Sequence, residues 1–178
     1  MSSSRISAPW PRWIGDRRQR RLPIVALARI GRLDLLRDLY HRVLVPEAVH
    51  QEVRAGSAGI EAILAATWIE PHEAADQPLI DRLARQLDRG EAEAIALTIE
   101  YRADLLLMDE RRGRRVAGEF GLRVVGTLAV LVAAKERGFV TAVAPLIDEM
   151  TLSGSFRVAD DLRVRVLRAA GEESTGTR

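Results

Sequence analysis

Residues 89–117 read RGEAEAIALTIEYRADLLLMDERRGRRVA, and this stretch decides the fold. Its middle, Leu105 to Met108, is a short apolar run entered from Asp104. That is the pattern of a strand buried on both faces of a parallel sheet. The run ends on Asp109 and Glu110, followed by Arg111, Arg112, Arg114 and Arg115. Before it, a helix opens after Gly90 with Glu91 and Glu93 in its first turn. In an open parallel sheet, ligands bind just beyond the carboxyl ends of the strands. Acids at a strand end and at the start of the preceding helix therefore describe a hard-cation site, with the arginines as a phosphate-binding surface beside it. The same residues also read as glutamates favoured at a helix N-terminus and arginines on a solvated helix face. This stretch alone leaves both readings standing.

The chain has 178 residues, enough for one domain with a real core. Aromatics are scarce at 4%, so the core must be built from Leu, Ile, Val and Ala. There is no cysteine, which excludes disulfides, thiolate metal sites and a cysteine nucleophile. His41, His50 and His72 show no metal-ligand spacing. A bound metal is therefore oxygen-ligated, Mg²⁺ or Mn²⁺ rather than zinc. Net charge is only +2, but the basic side is almost all arginine, with Lys135 the sole lysine. Arginine suits bidentate phosphate recognition, so nucleic acid is permitted as a partner. No apolar run approaches the length of a membrane span.

Along the chain, strands alternate with helices. The pattern predicts helices from Pro23 to Ile30 and over Leu33 to Leu39, then a strand Val43 to Val45 stopped by Pro46. A helix follows to Gly56, then Ile60 to Ala66, a strand Thr67 to Glu70 closed by Pro71, and helices Pro78 to Leu87 and Glu91 to Tyr101. After the strand at Leu105 come a helix around Arg114 to Phe120 and a strand Arg123 to Val125. Thr127 is read as the N-cap of a helix Leu128 to Arg137. Val143 to Leu152 is helical, and Phe156 to Ala169 is a last amphipathic piece. Trp68 is expected in the core. Such alternation implies a mostly parallel sheet in one domain.

The order of motifs PIVALARIGRLDLL, VLVPEAVHQEV, LDRGEAEAIAL, DLLLMDERRGRRVA and LRVVGTLAVLVAAKERG resembles the PIN-domain superfamily, in its toxin-like bacterial branch. The resemblance covers residues 22–170. It implies a three-layer α/β/α sandwich with a mostly parallel central sheet. It also implies a cytoplasmic, metal-dependent ribonuclease using Mg²⁺ or Mn²⁺, with RNA as substrate, a small antitoxin protein as partner, and a homodimer. Carried over by motif, the catalytic and metal-binding acids are Asp109, Glu91 and Glu52. Glu93 is a further metal candidate and Glu110 an accessory. The nucleic-acid contacts are Arg111, Arg112, Arg114 and Arg115. Glu91 is preferred to Glu93 because it directly follows Gly90. The two lie about 200° apart around a helix and cannot serve one point equally.

One departure stands out. The family opens on an apolar strand ending in Asp or Asn, but aligning on Pro23 puts Arg20 there, with no strand before it. The first strand is therefore expected to be missing. Residues 1–21, rich in Arg and Ser, are expected to be a disordered or misassigned leader. Residues 171–178 are expected to be a polar tail. Codons for residues 15–21 can be chosen that read, one base later, as Val-Ile-Val-Ala-Asn-Ala. A single-base shift before Pro23 would then account for the arginines, and the gene's own bases test this.

Overall fold

The computed structural model describes residues 23–55, 60–154 and 156–172. The expected leader lies outside these residues, and so does any strand it would hold. So do Gly56, expected to end a helix, and all but the first two residues of the expected tail.

Helix α1 (Pro23–Arg29) starts on its proline, which is tolerated at a first helical turn. It is buried along nearly its whole length. Gly31, at φ 63°, turns the chain into α2 (Asp34–Tyr40). Strand β1 (Val43–Pro46) runs straight into α3 (Glu47–Ala55), and α4 (Ile60–Ala65) precedes β2 (Ile69–His72). The strands pair in parallel, Val43 opposite Ile69 and Pro46 opposite His72. Pro71, which the sequence pattern makes the stop of this strand, lies inside it, opposite Val45. A proline fits an edge strand, where one side asks nothing of its missing N–H. Thr67 and Trp68 fall in the turn before β2, and Trp68 is half-buried against the core.

Helix α5 (Gln77–Leu83) is capped by Asp76, whose Oδ1 accepts from the Leu79 N–H at 3.0 Å. That cap starts the helix one residue before Pro78. The segment to Leu87 leaves it as a turn. Helix α6 (Arg89–Glu100) begins two residues earlier than the sequence pattern predicts, because Asp88 caps it. It leads into β3 (Leu106–Leu107), then α7 (Arg111–Glu119), β4 (Val124–Val125) and α8 (Thr127–Glu136). Strands β3 and β4 are also parallel, Leu106 opposite Val124. Gly126, not Thr127, takes the N-cap position of α8. Helices α9 (Ala144–Leu152) and α10 (Asp160–Ala169) complete the fold; Phe156 precedes the last helix rather than joining it.

The layers follow from strand alternation. Val43 and Val45, with Leu105 and Leu107, join one apolar cluster with α1, α2, α8 and α9. Leu44, Leu106 and Met108 join the other, with α5, α6 and α7. Both strand pairs thus lie in one middle layer between two helical layers, the α/β/α arrangement expected. Among the described residues β1 and β3 are not hydrogen-bonded to each other, so the middle layer consists of two parallel pairs. Burying each Leu or Ile on both sides of that layer contributes roughly 1.5–3 kcal/mol.

Glu172 ties the end of this unit down. Its Oε1 accepts from the Val143 N–H at 2.6 Å and from Lys135 Nζ at 2.8 Å, and its Oε2 accepts from the Ala144 N–H at 2.9 Å. It therefore satisfies amides at the start of α9. Burial pushes its pKa up, but the Lys135 ammonium and the two amides outweigh that and hold it below the usual carboxylate value. A depressed folded-state pKa gives stability above the unfolded value that is lost as pH falls through the folded one. Glu172→Gln should therefore cost roughly 1–3 kcal/mol at neutral pH. The gap to the parent should close as pH falls below the carboxylate range, as read from denaturant midpoints.

Candidate active site

The connections fix which side chains share an edge. Strand β1 ends into Glu47 of α3, and β2 into the segment Glu73–Asp76. Helix α6 leads into β3, so its own start lies at the opposite, carboxyl edge. A polar cleft of about 300 Å³ confirms the placement: Glu47, Gln51, Glu73, Gln77, Arg89 and Glu93 line it. Beyond β3, on the same edge, stands Asp109.

Asp109 is half-buried, and Thr127 holds both of its oxygens. Its Oδ1 accepts from the Thr127 backbone N–H at 2.8 Å and its Oδ2 from the Thr127 hydroxyl at 2.5 Å. That amide belongs to the first turn of α8, whose partial positive charge favours an anion. The two contacts fix the carboxylate in orientation. Gly126 makes the approach possible. A Cβ there would lie 2.8 Å from Asp109 Oδ1 and 2.9 Å from Arg114 Nη1. The acid and the guanidinium therefore face each other across the glycine.

Glu91 and Glu93 part company, as the 200° between them requires. Glu91 is 3% exposed and accepts from the Asp88 N–H at 3.1 Å, completing a capping box. Its carboxylate also lies against α7, where a Cβ on Gly113 would sit 2.6 Å from Glu91 Oε1. Glu93 instead reaches the polar cleft and pairs with Arg89 Nε at 2.8 Å. Of the two, Glu93 is the carboxylate that opens to solvent along the carboxyl edge. The earlier helix start is what turns Glu91 into a cap.

The remaining expected residues are placed as follows. Glu52 sits on α3, with its side chain outside the described residues. Glu110 is half-buried at the N-cap of α7. Arg111, Arg112 and Arg115 are exposed on α7, and Arg114 reaches the Asp109 side. Among the described residues, no three His, Asp or Glu side chains gather to hold a metal ion.

A family model described as a PIN domain matches residues 22–172. The chain belongs to the PIN-domain family. Curated proteins gave no significant match, and neither did solved structures. PIN domains bind RNA and use divalent metals as a class, and the oxygen-only donors here suit hard cations. No helix among the described residues of this PIN domain is long and apolar enough to cross a membrane.

Three residues of the site carry no obvious sequence signal. Thr127 reads as a cap, yet its hydroxyl positions Asp109. Gly126 reads as a turn and Gly113 has no reading in the sequence, yet each makes room for a carboxylate. The signal available was a glycine inside a basic helix and a Gly-Thr directly after a strand.

Proposed function

We propose that this PIN domain is a metal-dependent ribonuclease that hydrolyses RNA phosphodiesters. The observation that carries the reading is Asp109 at the carboxyl end of β3, with both oxygens fixed by Thr127 at a helix start. Arg114 beside it and the acid-lined cleft on the same edge support the reading. Asp109, Glu93 and Glu52 would hold Mg²⁺ or Mn²⁺, which would supply an activated water and charge neutralisation at the phosphate. The chain's own part is orientation and charge. Thr127 keeps Asp109 aimed, Arg114 presents a guanidinium to a phosphate oxygen, and the exposed arginines of α7 extend a positive surface for the RNA backbone. The reading includes a toxin role, with a small antitoxin protein as the partner to test and a homodimer as the assembly to test.

A second reading is an inactive PIN fold that binds RNA or protein. It is favoured by Arg20 standing in the sequence where the family's first acid or amide is expected. One pair of variants bears on both readings. Glu93→Gln should lower Mn²⁺-dependent RNA cleavage by about 10-fold or more, within the range for perturbing a metal shell. Glu91→Gln should keep most activity, because glutamine also completes a capping box. Equal loss in both would return Glu91 to the site. No cleavage by the parent chain would favour the second reading.

A further inference from the structure

A second cleft, of about 440 Å³, opens on the other side of Asp109, between α8 and α10. Its walls are largely apolar: Leu128 and Val132 from α8, Leu162 and Val166 from α10, and Phe156 from the segment before α10. Ala129, exposed on α8, is also part of the lining. The charged residues are few and placed with a pattern. Asp109 and Arg114 lie at one end, Arg165 on the α10 wall, and Glu136 further along α8. Arg165 pairs with Asp161 at 3.1 Å, but both side chains are about 70% exposed, 68% and 72%, so the pair is solvated and yields readily.

We propose that this cleft receives one base of the RNA next to a phosphate bound by Arg114 beside Asp109. The inference rests on the ribonuclease reading and deepens it. A nucleotide matches the lining in each part. Its flat, apolar faces suit Phe156 and the aliphatic walls, and its flanking phosphates suit Arg114 and Arg165. Glu136 offers an acceptor to base N–H groups. A cleft of this size is in the range that small ligands occupy. Its position beside Asp109 makes the base subsite continuous with the site of cleavage.

The test is binding of a short fluorescein-labelled single-stranded RNA, and of the same strand made abasic, to the full chain in EDTA. Mn²⁺-dependent cleavage is measured in parallel. The intact strand should bind roughly tenfold tighter than the abasic one, the size of one stacked base. Phe156→Ala and Ala129→Leu should each erase that preference, and Phe156→Trp should keep it. Ala129 is exposed, so its variant blocks the cleft without touching the core. Equal binding of the two strands by the parent, or a preference unchanged in both blocking variants, overturns the subsite. A peptide-binding cleft would give that same equality. Cleavage without base preference overturns the subsite and leaves the ribonuclease reading standing. Base preference without cleavage keeps the subsite and removes that reading.

Discussion

Asp109→Asn should reduce Mn²⁺-dependent RNA cleavage by at least about 100-fold while the domain stays folded. Partners one layer out from a metal typically cost 10- to 100-fold when lost, and a direct ligand costs at least as much. The fold should survive because asparagine can keep the local contacts. Its amide oxygen can accept from the Thr127 N–H, and its amide nitrogen can donate to the Thr127 hydroxyl. What is lost is the negative charge at the carboxyl end of β3. Cleavage assays on the variant, with circular dichroism as the folding control, check this. Activity within a few-fold of the parent would mean that Asp109 only anchors α8.

Gly113→Val should destabilise the domain by about 3 kcal/mol, at the upper end of the cost of overpacking a core. The reason is contact on two sides. A Cβ at this position would lie 2.3 Å from Met108 Sδ and 2.6 Å from Glu91 Oε1. Met108 is fully buried, so it has little room to retreat. Moving Glu91 would disturb the cap of α6. Gly118, in the same helix, has nothing within 4 Å of its Cβ position. Gly118→Ala should therefore stabilise by roughly 0.5–1 kcal/mol. Denaturant midpoints of the two variants should move in opposite directions. A Gly113→Val variant as stable as the parent would mean that α7 does not sit against Glu91.

The particular residues show what sequence reveals and where it stops. The run Leu105 to Met108 announces a strand because burial on both faces leaves no polar position in it. Asp109 follows as the first acid past its end. The 200° between Glu91 and Glu93 correctly separates them onto two surfaces. Deciding which one meets solvent requires the true helix start. Asp88 moves that start two residues back and makes Glu91 the cap rather than the open acid. The pairing of Asp109 with Thr127 joins residues 18 apart through the parallel β3–β4 crossover, and no local pattern encodes it. Pro71 reads as a strand end by its missing N–H alone, whereas an edge position removes that objection. Phe156 reads as one more apolar residue of an amphipathic segment. Only the approach of α10 to α8 places it on the wall of a cleft beside Asp109.

The central claim is that Asp109 belongs to a cation site on the carboxyl edge. The most direct test is Mn²⁺ binding by calorimetry to the full chain and to Asp109→Asn. Binding by the parent that is lost in the folded variant is the predicted result. Equal binding by both, or none by a folded parent, would contradict it.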